Sequence, residues 1–172
     1  MLGVQSPSSP GIGVGVGGSP AAGGPAPPNP NLLLWSEELD RAATWAATGV
    51  VVTANATNDP NGQLTADLLT FAAGGTLRQV TPAPATTGAA VTAVIASTTE
   101  RPSISGDFDG VTYKFSFYSM LGDGVNLRLR LDRSGGFLRV SFEDVGDEAI
   151  VNIAWCKLET PDLTAYVKRE GT

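Results

Sequence analysis

The sequence predicts an all-β chain, an antiparallel β-sandwich over residues 31–172 preceded by an extended Gly/Pro-rich arm over residues 1–30. Three observations carry this. Short apolar–polar alternations recur between residues 50 and 158, clusters of turn-forming residues separate them, and the first ionisable side chain is Glu37. Many short strands at regular spacing indicate a sandwich or a barrel. One apolar and one polar face per strand is what an antiparallel sandwich requires.

Residues 1–30 are built from Gly, Pro, Ser, Ala and a few aliphatics, and cannot form a core. Within "GIGVGVG" (11–17) the period is two, so an extended chain presents Ile12, Val14 and Val16 on one side and bare backbone on the other. Such a ribbon suits lying on a surface or joining a sheet edge. Pro25, Pro27 and Pro28 favour stiff polyproline II and lower the entropy lost on docking. The segment reads as an attachment arm ordered by a partner, with a disordered linker as the alternative in the free chain.

The texture changes at Asn31. Asn31–Leu34 reads as a short strand, and Ser36 before Glu37 and Glu38 reads as the N-cap of a brief helix ending near Trp45 or Gly49. Strands are expected at about 50–55, 64–71, 76–81, 89–97, 112–119, 125–132, 137–143 and 148–158. The turns fall at Asn58–Gly62, Gly74-Gly75, Gly122–Gly124 and Ser134–Gly136. The later strands alternate most cleanly. Tyr113, Phe115 and Phe117 oppose Lys114, Ser116 and Tyr118; Val125, Leu127, Leu129 and Leu131 oppose Asn126, Arg128, Arg130 and Asp132; Leu138, Val140 and Phe142 oppose Arg139, Ser141 and Glu143.

Composition excludes several functions. The net charge of −6 with sparse Lys and Arg argues against nucleic acid and against an anionic membrane surface. The chain has no histidine, which removes the commonest general base and metal ligand, and its single cysteine, Cys156, allows no intrachain disulfide. No stretch reads as a secretory signal or a membrane span. Asp107 and Asp109 form an oxygen-rich loop ending in Gly110, a candidate calcium site without a full ligand set, and a solvated turn is the simpler reading. The acid pairs Glu37/Glu38, Glu143/Asp144 and Asp147/Glu148 are sequence neighbours, and nothing in their spacing makes two carboxyls converge as a glycosidase needs. Among the aromatics, Trp35 and Tyr118 are candidate glycan contacts, Tyr118 because it shares a face with Lys114 and Ser116; Trp35 and Trp45 are both read as flanking the sandwich and most other rings as core. Arg128, Arg130 and Arg139 form a small basic patch. It is read either as a solvated face paired with Glu143 and Asp132, or as a contact to a neighbouring protomer or an acidic glycan.

Three stretches together resemble a family. "NLLLWSEELDRAATWAATGVVVTANATNDPNGQLTADLLT" carries Asn31, Leu32, Leu33, Ser36, Glu37, Trp45, the strand Val50–Thr53, Pro60, Gly62, Thr65, Ala66 and Asp67. "GVTYKFSFYSMLGDGVNLRLRL" is similar to a central strand pair, and "VNIAWCKLETPDLTAYVKREGT" to a closing strand with Trp155, Leu158, Glu159 and Tyr166. In this order they resemble the carbohydrate-binding-like jelly-roll modules of tailed-phage structural proteins, over residues 31 to about 167. The stretch "TTERPSISGDFDG" (98–110) does not fit the pattern. The resemblance implies a jelly roll on a virion surface, assembled in the host cytoplasm; it does not imply an enzymatic activity, and the chain is read as non-enzymatic, with a trimeric assembly, as in many virion appendages, and contacts to other virion proteins through the arm. It allows a structural calcium near the chain ends and implies no other cofactor. Two roles follow: adsorption to a host-surface glycan from a tail fibre or appendage, or decoration and cementing of the capsid lattice.

Overall fold

The structure, a computed structural model, describes residues 31–95, 102–119, 126–146 and 148–160. The proposed arm, with Ile12, Val14, Val16, Pro25, Pro27 and Pro28, lies outside the described residues, as do Val125, the 122–124 turn, Asp147 and Tyr166. Nine strands occur among the described residues: β1 (Ala46–Asn58), β2 (Leu64–Pro84), β3 (Val91–Ile95), β4 (Ser103–Phe108), β5 (Val111–Tyr118), β6 (Leu127–Ser134), β7 (Phe137–Asp144), β8 (Glu148–Ile153) and β9 (Trp155–Glu159). One sheet runs β1-β2-β7-β6-β3 with β8 also on β2, and the other runs β4-β5-β9. All pairings are antiparallel.

The predicted alternation places the core. Leu127, Leu129, Leu131, Leu138, Val140 and Phe142 on the larger sheet, and Phe115, Phe117 and Leu158 on the smaller, are fully buried. They meet in one cluster, as a β-sandwich requires. Phe142 is central: its ring centroid lies 5.3 Å from both Phe115 and Phe117, edge-on, and 6.2 Å from Trp45. Trp45 is therefore a core residue and does not flank the sandwich, while Phe137 at the start of β7 is exposed. Two hairpins use the expected turn chemistry. Asp109-Gly110 (φ 51° and 77°) joins β4 to β5, and Gly135-Gly136 (φ 61° and 83°) joins β6 to β7, both with the left-handed pair of a two-residue loop.

Several elements differ from expectation, each for a visible reason. Residues 31–45 form neither strand nor helix but a run of bends and turns. The Ser36 carbonyl accepts the Cys156 N–H at 2.9 Å, and the Leu39 N–H goes to Asp67 Oδ2 at 2.7 Å. Both groups are thereby diverted from a helical ladder, and the remaining bonds are mostly i to i−3 (Glu38 to Trp35, Arg41 to Glu38, Thr44 to Arg41). Asn31 supplies by side chain what a strand supplies by backbone. Its amide oxygen accepts the Leu33 and Leu158 N–H groups, and its amide nitrogen donates to the Cys156 carbonyl. Gln79 does the same from β2, pairing both ways with the Leu34 backbone at 2.8 and 2.9 Å. This leading segment buries Leu33, Leu39 and Trp45 in the core.

The Gly74-Gly75 turn is instead a bend inside one long strand. Before it, β2 pairs with β8 (Ala72 opposite Glu148); after it, β2 pairs with β7 (Thr76 opposite Glu143). The stretch expected at 148–158 splits at Ala154 and passes from one sheet to the other. Strand β4 falls in the unaligned 98–110 stretch. Ile104 and Phe108 are buried from it with Gly106 between them, where a Cβ would meet the Phe108 ring and Val91 Cγ2 at 2.9 Å.

Candidate functional site

The 58–63 turn, the 36–41 segment and the β8–β9 kink converge at one end of the molecule. The turn is an Asx-type loop, in which Asp59 Oδ1 accepts the Asn61 and Gln63 N–H groups at 2.8 Å. These bonds, first that of Gln63, hold the Asp59 carboxyl below its ordinary value. Asp67 at the start of β2 is buried and ties two neighbours down, accepting the Leu39 N–H on one oxygen and the Asn55 N–H (3.0 Å) on the other. Burial pushes its carboxyl up against the opposing pull of those amides.

Between these elements runs an open cleft. One end, of about 320 Å³, is lined by Tyr118 and Trp155 with Glu37, Asp59, Pro60 and Thr65. The other, of about 520 Å³, is lined by Glu38, Asp40, Arg41, Asn55, Gln63 and Asp67, and shares Glu37, Asp59, Asn61 and Thr65 with the first. Tyr118 and Trp155 are directly opposed on β5 and β9, with ring centroids 5.8 Å apart and planes tilted by 31°. Both are half-buried. An aromatic wall beside a floor of carboxylates and amides can stack a flat apolar face while accepting hydrogen bonds from hydroxyl groups.

The fold thus draws together acids that adjacency alone did not bring into register: Glu37, Glu38, Asp40, Asp59 and Asp67 all line the cleft. The hydrogen bonds of three of these acids are structural. Asp67 and Asp59 serve backbone amides, and Glu38 pairs with Arg41. Among the sequence candidates, Tyr118 lines the cleft and Trp35 does not. The Arg41 guanidinium lies 4.5 Å over the Trp35 ring, and the Trp35 carbonyl accepts Trp45 Nε1 at 3.2 Å. Trp35 sits at φ 48°, a strained conformation for a bulky residue, held by these contacts.

Asp107 and Asp109 are occupied by their own chain. Asp109 accepts the backbone N–H and hydroxyl groups of both Thr86 and Thr87 at 2.8 Å, pinning the β4–β5 turn to the 85–88 loop, and Asp107 accepts the Thr112 hydroxyl. The Thr86 and Thr87 bonds lower the Asp109 carboxyl to about 2. Among the described residues no group of three or more His, Cys, Asp or Glu is placed to hold a metal.

Arg128, Arg130 and Arg139 lie on the outer face of the larger sheet; Arg128 meets Glu143 (3.6 Å) and Arg139 meets Asp132 across β6–β7 as expected, while Arg130 bonds Asp132 along its own strand. Burial raises the Asp132 carboxyl, but the hydrogen bonds from Arg139 and Arg130 outweigh it and the net shift is downward. Cys156 is fully buried, and burial pushes its thiol well above the ordinary value. Among the described residues no helix is long and apolar enough to cross a membrane. No protein-family model, curated protein or solved structure matches this chain.

Proposed function

We propose that this chain is a non-enzymatic glycan-binding module of jelly-roll type, carried on a phage virion surface through residues 1–30. The observation that supports the binding role is the cleft, in which the Tyr118–Trp155 pair stands beside a floor of carboxylates and amides. Its acids accept hydrogen bonds from sugar hydroxyls, and the rings offer the apolar face on which a pyranose stacks. The non-enzymatic reading is supported by the engagement of Asp59 and Asp67 with backbone amides, which commits their oxygens to holding the loop and the leading segment in place. The virion setting and a trimeric assembly rest on the sequence resemblance. A glycan array probed with the full chain tests the reading. Hits are expected to weaken about tenfold in Trp155→Ala, the scale of one covered ring face, and to be largely retained in Trp155→Phe. An array without hits, or hits indifferent to Trp155→Ala, rejects the glycan role.

Capsid decoration is the second reading, and one observation favours it. Val51 and Ile150, 65% and 55% exposed, both pair with Thr70 across β1-β2-β8 and form an apolar row on the outer face. Imaging of assembled particles separates the two roles: regular copies on the head shell indicate decoration, and a few copies on a tail appendage indicate adsorption.

A further inference from the structure

The outer face of the larger sheet carries more positive charge than its acids neutralise. Register places Arg78 (β2), Ser141 (β7) and Arg130 (β6) in one row across three strands. The rows on either side hold Glu143 with Arg128, and Arg139 with Asp132. Four of the chain's eight arginines therefore share these three rows with two carboxylates, on a chain whose net charge is −6. Like charges at neighbouring cross-strand positions repel, so this clustering is unfavourable without a counter-charge. Arg78 is exposed and has no carboxylate partner among the described residues.

The face is also concave at this point. A basin of about 260 Å³ is lined by Thr76, Arg78, Arg130, Arg139, Ser141 and Glu143. Asp132 fixes two of the guanidinium groups from one side, accepting Arg130 Nε at 2.7 Å and Arg139 Nε at 2.8 Å. A guanidinium has five N–H donors, so both keep donors uncommitted to Asp132 while their positions are set. Pre-positioned arginines around a hydroxyl-lined hollow match the geometry of a single oxyanion.

We infer that this basin is an oxyanion site, taking a sulfate or carboxylate group between Arg78, Arg130 and Arg139. It is separate from the cleft and does not depend on the cleft's ligand. The chemistry is shared by a free anion and by the acidic group of a charged glycan, and the test distinguishes them.

The full chain is titrated with sodium sulfate, and with sodium chloride at matched ionic strength, while backbone amide resonances are followed. The expected result is saturable change with sulfate alone, centred on Arg78, Arg130 and Ser141. Arg78→Ala weakens it about tenfold or more, and Arg41→Ala at the cleft leaves it unchanged. Arg78 is exposed, so an unaltered circular dichroism spectrum is expected for its variant. A uronic-acid tetrasaccharide forms the second arm. Binding tighter than sulfate and lost in Arg78→Ala assigns the basin to an acidic glycan; binding no tighter than sulfate assigns it to a free anion. Equal responses to sulfate and chloride, or sulfate binding indifferent to Arg78→Ala, overturn the inference.

Discussion

Substituting Gly75 tests whether the bend in β2 is a close backbone crossing. A Cβ added there would lie 2.4 Å from the Gly49 carbonyl oxygen and 2.9 Å from that of Ala72, where real Cβ contacts stay above 3.0 Å. Both obstacles are backbone, so β1 must move from β2 by roughly 0.6 Å at Gly49, at the register break flanked by the Thr48–Thr76 and Val50–Phe71 pairs. Gly75 is not among the positive-φ glycines, so the cost is steric and not torsional. Overpacking of this kind costs about 1–3 kcal/mol, and the rigid neighbours place it near the top of that range. The lower unfolded-state entropy of Ala returns about 0.4–1 kcal/mol. A net loss of about 2 kcal/mol follows. With a urea slope of about 2 kcal/mol/M, the midpoint should fall by about 1 M. Gly146→Ala is the control, since its Cβ meets only ordinary contacts at 3.8 and 3.9 Å. A Gly75→Ala midpoint equal to that of Gly146→Ala would show that the strands do not cross as described.

Two further predictions concern single ionisable groups. The Asp109 carboxyl is lowered from 3.8 to about 2, so the stability it contributes is present above 3.8 and is lost as the pH falls toward 2. Asp109→Ala should therefore flatten the acid side of the melting-temperature profile in that window, and a variant whose profile parallels the parent's would contradict the clasp. Cys156, buried with its thiol raised, should resist a thiol reagent in the native chain and react stoichiometrically in denaturant; rapid native labelling would contradict its placement.

The strands whose side chains alternate were readable because burial there follows the pleat. Leu127–Leu131, Leu138–Phe142 and Phe115–Phe117 face the core as their spacing demands, and the acids opposite Arg128 and Arg139 are those the register supplies. Strand β4 was hidden because its middle inward position is Gly106, an exception imposed by the ring of Phe108 and the side chain of Val91. The leading segment was misread because its order comes from distant side chains. Asn31, Asp67 and Gln79 are polar residues at buried positions, and each answers a backbone group far away in sequence. The cleft escaped for the same reason. Its walls come from residues 37–41, 55–67, 118 and 154–155, and no local pattern announces that these meet.

Asn31 has a mechanical consequence. Whatever residues 1–30 are tied to, tension along the chain enters the described structure at this residue. There the amide side chain and the Leu32 N–H engage Cys156 and Leu158 on β9, and Leu33 is fully buried just behind them. A pull must break several bonds to β9 and extract a leucine from the core before the first strand feels it. A tether fastened at this point shares its force between β9, the edge strand of the smaller sheet, and the core contacts of Leu33.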